Sequence, residues 1–367
     1  MIHFKQITLI FLMLLAGCKK ENTTVAPPMT SAGVQLKFLD EYVLPNNIVV
    51  NSTLVGGLSG IDFKNGTYYI ACDDAENPRF YKADINIVSD KITDVSITEV
   101  VTIENTDEHL DLESILFDTT SLKVLLASEG SINGGKDPLL ISVNRQGSDI
   151  EKFEVPAYYK ADSQQKPVHN GVFEGLADSF DTNGYWLATE LPLESDGITP
   201  TATEANSPVR CTYFNKQTKQ PESQFAYLLD KIARPPQPPT GFAVNGLTDI
   251  LAYAPNKFFV IERSFSSGNA NQSVSIKIYD VDNSEATNTL AELSLKTTAF
   301  TPAKKELVFN FDNVRGQLTN GIIDNVEGIC FGPILSNGNQ SVILIVDNDF
   351  NQQGNRLNQF LLLELIN

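Results

Sequence analysis

Asn325-Val326-Glu327-Gly328-Ile329-Cys330-Phe331 turns from polar to apolar, and after a turn comes the unbroken apolar run Val342-Ile343-Leu344-Ile345-Val346. Short runs this rich in β-branched side chains read as strands. The signature Val326-Glu327-Gly328-Ile329 has four relatives upstream: Leu58-Ser59-Gly60-Ile61, Leu112-Glu113-Ser114-Ile115, Phe173-Glu174-Gly175-Leu176 and Leu247-Thr248-Asp249-Ile250. An internal repeat takes precedence over any single-core reading of so long a chain.

Each copy continues in the same way. A turn follows, then a second apolar run: Tyr68-Tyr69-Ile70-Ala71, Val124-Leu125-Leu126-Ala127, Tyr185-Trp186-Leu187-Ala188, Phe258-Phe259-Val260-Ile261 and Val342-Ile343-Leu344-Ile345. A polar loop leads to a third run, such as Arg79-Phe80-Tyr81 or Phe360-Leu361-Leu362-Leu363, and a weaker fourth follows in most copies. Four antiparallel strands repeated with divergent loops predict an all-β fold, a β-propeller. The fifth copy ends on its third strand, so the strand-like segment from Val34 to Leu44 is expected to complete that blade and close the ring without a free edge. Five blades fit this count. The segment from Thr297 to Gln317, with Leu307-Val308-Phe309, is either an extra strand or part of a sixth blade.

In a propeller the start of the innermost strand and the end of the second strand share one face, and the repeat carries acids at both points. Glu113, Glu174 and Glu327 stand at the first, with Ser59 and Thr248 in the other copies. Asp73-Asp74, Glu129, Glu190, Glu262 and Asp347-Asn348-Asp349 stand at the second. Two carboxylates about 4 Å apart repel by roughly 4 kcal/mol at an effective dielectric near 20, so such a ring calls for a compensating charge or bound protons. Calcium, a hard cation satisfied by several oxygens, is the expected compensator, with Glu113, Glu174, Glu327, Asp74, Glu129, Glu190, Glu262, Asp347 and Asp349 as candidate ligands. Asp347-Asn348-Asp349-Phe350-Asn351 alternates oxygen side chains but is not an EF-hand. The competing reading is that acids at strand ends are simply solvated. Arg79, Arg210, Arg263, Arg356 and Lys136 fall in or just after the loop behind the second strand, where they either pair with acids or hold an anionic oxygen. His109 and His169 lie four and five residues before Glu113 and Glu174, which puts both near the acidic face as candidate acids or bases.

The N-terminus reads as an address. Lys5, the apolar run from Ile7 to Leu15 and Ala16-Gly17 precede Cys18, a signal peptide (residues 1–17) ending in a lipobox, with Cys18 as the acylated residue. Residues 18–33 are polar with Pro27-Pro28 and form the expected flexible tether, and residues 34–367 form the domain. No later stretch has the eighteen apolar residues of a span, so the lipid is the only membrane contact expected. The implied location is the bacterial envelope, at the outer membrane, and the expected state is monomeric. Removing residues 1–17 takes away Lys5 alone among charged residues and leaves 26 basic against 45 acidic side chains, a net charge of −19. Nucleic acid and anionic membrane surfaces are therefore poor partners. Cys72, Cys211 and Cys330 each sit inside apolar runs with no C-x-x-C pair, which reads as buried small side chains rather than metal ligands.

Several familiar chemistries lack their material: there is no G-x-S-x-G elbow, no P-loop and no H-E-x-x-H, and only two histidines remain in the mature chain. Four blocks carry a resemblance instead: Leu58 to Asp62 with Asp73-Asp74 and Arg79-Phe80-Tyr81; Asn170-Gly171-Val172-Phe173-Glu174-Gly175-Leu176-Ala177; Val260-Ile261-Glu262-Arg263 with Ile278-Tyr279; and Asn325 to Ile329 continuing to Ile345-Val346-Asp347-Asn348-Asp349-Phe350 and Gln359-Phe360-Leu361. In order and spacing, over roughly residues 45 to 365, the chain resembles the phytase-like family named for esterase-like activity. The resemblance implies a propeller that hydrolyses phosphate or other esters, with calcium and without a covalent nucleophile, acting on a small-molecule or phosphorylated ester substrate. It leaves Glu113, Glu174, Glu327, Arg263 and His169 as the candidate catalytic set, since Ser59 and Thr248 break the symmetry of the ring. A non-catalytic propeller that binds a glycan, peptide or envelope partner is the alternative, because this architecture serves both purposes. If Cys18 is acylated, Cys18→Ala moves the protein from the membrane fraction to the soluble fraction with its domain still folded. Retention in the membrane fraction overturns the lipoprotein reading.

Overall fold

The computed structural model describes residues 33–366 apart from 105, 353 and 355. The signal peptide, Cys18 and nearly all of the tether lie outside the described residues. Five four-stranded antiparallel sheets follow one another along the chain. From the innermost strand outward, blade one is Leu58–Lys64, Thr67–Cys72, Arg79–Val88 and Lys91–Thr102. Blade two is Leu112–Asp118, Lys123–Ser128, Leu139–Val143 and the short Glu151–Lys152, and blade three is Phe173–Asp178, Gly184–Thr189, Ser207–Asn215 and Pro221–Leu229. Blade four is Ala243–Ala254, Lys257–Ser266, Val274–Asp282 and Lys304–Asn310. Blade five takes Asn325–Ile334, Gln340–Asp347 and Asn358–Ile366 from the end of the chain and Gln35–Leu44 from its beginning.

The closing strand pairs antiparallel with Asn358–Ile366, from Gln35 opposite Ile366 to Leu44 opposite Asn358. This ladder joins the two ends of the chain and leaves blade five no open edge on its third strand. Lys304–Asn310, which contains Leu307-Val308-Phe309, is the outer strand of blade four, so the alternative of a sixth blade falls away and the ring has five.

Alternate side chains of a strand point to opposite faces, and in a propeller both faces of a blade are covered. Val342, Leu344 and Val346 accordingly pack with Phe259, Ile261, Ile276 and Ile278 of blade four. Ile343 and Ile345 point the other way, to Leu58, Ile61 and Ile70 of blade one. The remaining apolar clusters fill the joints between blades two and three, three and four, and one and two. Burial on both faces is why the second runs are continuously apolar rather than alternating. Cys72, Cys211 and Cys330 are buried free thiols within these layers.

The innermost strands come close enough for side chains to bond to the neighbouring backbone. Ser59 Oγ donates to the carbonyl of Leu112 at 2.6 Å and Thr248 Oγ1 to that of Val326 at 2.9 Å. Asp249 accepts the backbone N–H groups of Leu176, Ile250 and Ile329 and so ties three blades together. Gly60 marks the tightest approach: a Cβ there would stand 2.6 Å from the Cα of Ser114 and 2.9 Å from the carbonyl oxygen of Glu113. Backbone cannot move aside as a flexible side chain can. Gly60→Ala is expected to destabilise the protein by about 1–3 kcal/mol in urea unfolding, the range of an overpacked core. Gly316→Ala, where a Cβ meets nothing within 4 Å, should stay within about 0.5 kcal/mol.

Candidate functional site

Every innermost strand carries an irregularity at the same place. Its ladder with the second strand breaks between Leu58 and Ile61, Leu112 and Ser114, Phe173 and Gly175, Leu247 and Asp249, and Val326 and Gly328. The residues skipped are Ser59 with Gly60, Glu113, Glu174, Thr248 and Glu327. A bulge leaves its extra residue unpaired and re-aims the side chain, so the acids of the repeated signature are turned out of the sheet.

Register also fixes their partners. Cys72, Ser128, Thr189, Glu262 and Val346 are the second-strand residues opposite Leu58, Leu112, Phe173, Leu247 and Val326. One residue further on come Asp73, Glu129, Glu190, Arg263 and Asp347. Four blades thus present an acid where blade four presents an arginine. Glu262 sits one position short and turns outward, where it accepts bonds from Tyr227 (2.6 Å), Asn245 (2.7 Å) and Lys305 (2.7 Å). Asp74 also lies outside the cluster, paired with Arg79 at 2.6 Å. That guanidinium and Asn77 hold the Asp74 carboxyl below its usual range despite partial burial. Among the loop bases, Arg210 is likewise committed, buried and bonded twice to Asp196 at 2.6 and 2.8 Å.

The remaining acids divide into two halves. Arg263 neutralises one: its Nη2 donates to Glu190 at 2.8 Å, and its Nη1 to Glu327 at 2.5 Å and to the side-chain oxygen of Asn325. Gly246 makes room for this arrangement, since a Cβ there would lie 2.5 Å from the Glu190 side chain. The other half has no such cation among the described residues. Asp111, Glu113 and Glu129 each bring one oxygen to within 4.8 Å of the others. Glu129 Oε2, Glu174 Oε2 and Asp73 Oδ1 are buried without a hydrogen-bond partner. Asp111 and Asp73 are the residues that sequence reasoning left out of the ligand set. Asp111 directly precedes the signature and is unique to blade two; Asp73 was legible as half of an acidic pair whose facing half only the register identifies.

Burial and mutual repulsion act together on these groups. Burial first, then Asp347, Glu327 and Asp111, push Asp73 up to about 9. Glu129 rises to about 8 through burial with Asp111 and Glu190, and Glu327 to about 8, through burial that Arg263 only partly offsets. Glu113 is driven well above the carboxylate range by burial and then by Glu174 and Glu129, and Glu174 by burial and then by Glu190 and Glu327. Burial also raises Asp111, with His109 and His169 near enough to pull it back down. His169 itself is exposed. Asp347 is raised by burial and by Asp349, whose N–H it accepts at 2.8 Å.

Oxygen-only donors with several orphaned, buried carboxylate oxygens suit a hard divalent cation. Asp111, Glu113 and Glu129 could hold it, with Glu174 and Asp73 on the flanks. A cavity of about 730 Å³ lies elsewhere, between blades two and three at the opposite end of the strands. Its lysines are already paired: Lys216 with Asp118 and Asp178, and Lys123 and Lys219 with Glu151.

The phytase-like family model, described as esterase-like activity of phytase, matches residues 53–350. That span contains all five bulges and every acid of the cluster. The chain belongs to the phytase-like family. Among solved structures the phytase-like propeller is similar to an exo-1,5-α-L-arabinanase from a bovine ruminal metagenomic library, with 11% identity over 85% of this chain and 93% of that one and a TM-score of 0.41. An arabinanase of Bacillus subtilis shares 13% identity over 84% and 94% of the two chains at 0.40, and the Dos1 propeller 9% over 84% and 68% at 0.33. Likeness this low says nothing about activity. Among curated proteins no match was found.

The raised carboxyls set a sign for pH dependence. Near neutrality Asp73 and Glu129, neither of them paired with Arg263, are protonated in the fold and ionised in the unfolded chain, so the fold holds more protons, and stability falls as pH rises through their folded values of about 8 to 9. Without divalent cation, the melting temperature should therefore decline steadily from about pH 6 to pH 9. Added calcium should raise it most at the alkaline end, since a ligand of the native state stabilises by mass action. A melting temperature independent of pH and calcium across that span overturns this account of the cluster.

Proposed function

We propose that the protein is an envelope-anchored, calcium-dependent hydrolase of phosphoesters or related esters, acting as a monomer at the acidic mouth of its ring. One observation carries the reading: the half of the cluster formed by Asp111, Glu113 and Glu129 lacks the arginine that neutralises the other half, and unpartnered carboxylate oxygens surround it. Membership of the phytase-like family supports the same reaction class.

Calcium bound there would supply positive charge to the substrate oxygens and to the attacking water. The chain's own groups divide the remaining work. Asp111, Glu113 and Glu129 would be the ligands. Arg263 stays charged because Glu327, Glu190 and Glu174 outweigh its burial, and it keeps Glu190 and Glu327 from competing for the ion. Glu174 Oε2, buried and unpartnered, would be the oxygen that accepts a proton from water once the charge of a bound cation offsets the burial and repulsion that hold its carboxyl protonated. His169, at the exposed rim near Asp111, is the candidate donor to a leaving group. No nucleic-acid partner is implied by so acidic a chain.

The test is turnover of p-nitrophenyl phosphate, p-nitrophenyl acetate and phytate by the purified protein, with and without calcium. Calcium-dependent release from at least one is expected, and Glu113→Gln, which keeps the shape but removes a charge, should lower calcium affinity by about tenfold or more together with turnover. Glu262→Gln should leave calcium affinity unchanged, because Glu262 faces Lys305 instead of the cluster. Equal calcium affinity of wild type and Glu113→Gln removes Glu113 from the ligand set. Absence of turnover on the whole panel under both conditions favours the non-catalytic binding propeller.

A further inference from the structure

A cavity of about 430 Å³ opens on the same face as the acidic cluster, at the joint between blades four and five. Its volume falls within the range of about 300–1,000 Å³ usual for small-molecule sites. Phe265, Val274, Ile322 and Ile323 give it apolar walls, and Arg356 and Asp324 stand on its lining. Asp324 directly precedes Asn325, the residue bonded to both Arg263 and Glu327, so the cavity adjoins the arginine half of the cluster. Phe242 extends the apolar wall outward: it is 67% exposed and its ring centroid lies 6.0 Å from that of Phe265.

The charges of this cavity are uneven. Asp324 already accepts the N–H of Asn325 at 3.1 Å. The Arg356 side chain, among the described residues, makes no hydrogen bond or ion pair, although its charge is felt at Asp324 and Asp347. Arg79, Arg210 and Arg263, the other arginines behind second strands, all have carboxylate partners. A single uncommitted guanidinium beside an apolar wall suits a ligand with one anionic group and one apolar group. A polyanion such as an inositol polyphosphate would bring several charges to a mouth already crowded with carboxylates.

We infer that the cavity between blades four and five binds the aryl or alkyl group of an anionic ester whose acidic group is held between Arg356 and the axial cluster. The substrate class is then a phosphomonoester or similar singly anchored anion with an apolar substituent. This deepens the hydrolase reading and rests on it only for turnover; the binding preference stands or falls separately.

The test uses ligands that cannot be hydrolysed. Calorimetric titration of the calcium-loaded protein with phenylphosphonate and methylphosphonate should show the phenyl compound binding about tenfold tighter or more, as burial of an aromatic ring requires. Ile322→Ser should bring the two affinities within about twofold of each other, and Arg356→Gln should weaken both in similar proportion. Ile322 is only partly buried, so its substitution leaves the core intact. Equal affinities in the wild type, no measurable binding of either compound, or a phenyl preference that survives both Ile322→Ser and Phe265→Ala overturns the inference. Turnover of p-nitrophenyl phosphate is measured alongside. A phenyl preference without turnover keeps the cavity and removes the hydrolase, whereas turnover without a phenyl preference does the reverse.

Discussion

A sheet with two apolar faces cannot be buried by one partner. Each blade of this protein has that property, as the opposed packing of Leu344 and Ile345 shows, and the only arrangement that covers both faces of all five is a closed ring. Closure then dictates the centre. Five innermost strands meet around an axis so narrow that Gly60 approaches the backbone of Ser114, and Asp249 satisfies amides from three blades at once. Side chains of any size must leave that axis at its ends.

The bulges supply the exit. Because the irregularity falls at the same residue in each blade, one insertion in an ancestral unit is enough to aim five side chains at a common mouth. Where the residue is serine or threonine it bonds to the next blade and strengthens the ring; where it is glutamate the charge is left for something else to balance. Arg263 provides half of that balance from within the chain. The contrast between the halves gives the centre its polarity, since a cation would be attracted to the side that the guanidinium leaves uncovered, while the opposite side is held in fixed ion pairs. The cavity between blades four and five opens beside the occupied half, so its ligand would meet the ion from across the mouth.

Much of this was legible in the residues. The recurrence of Val326-Glu327-Gly328-Ile329 revealed the five units, and the missing fourth strand of the last unit pointed to the segment at Val34 to Leu44. The inner acids followed from the signature itself. The outer acids were legible only to within one residue, because aligning apolar runs cannot show where a ladder ends. Glu262 matches Glu190 by eye, yet strand pairing sets Glu190 level with Arg263, and the whole asymmetry of the cluster turns on that single step. Asp111 escaped because it has no counterpart in the repeat. Cavities between blades, assembled from loops far apart in the chain, have no linear signal at all.

Leu44 meets Asn358 at the acidic end of blade five and Gln35 meets Ile366 at the far end, so the chain enters the domain on the side away from the cluster. Held by anything upstream of residue 33, the ring would be attached at the end opposite its carboxylates, which leaves the acidic mouth clear of the support, like the rim of a cup on a stem. Tension on that stem would run lengthwise along the ladder that joins the two ends of the chain. It would load all of that strand's hydrogen bonds in parallel instead of peeling them one by one, so the seam that closes the ring lies in its mechanically stronger direction.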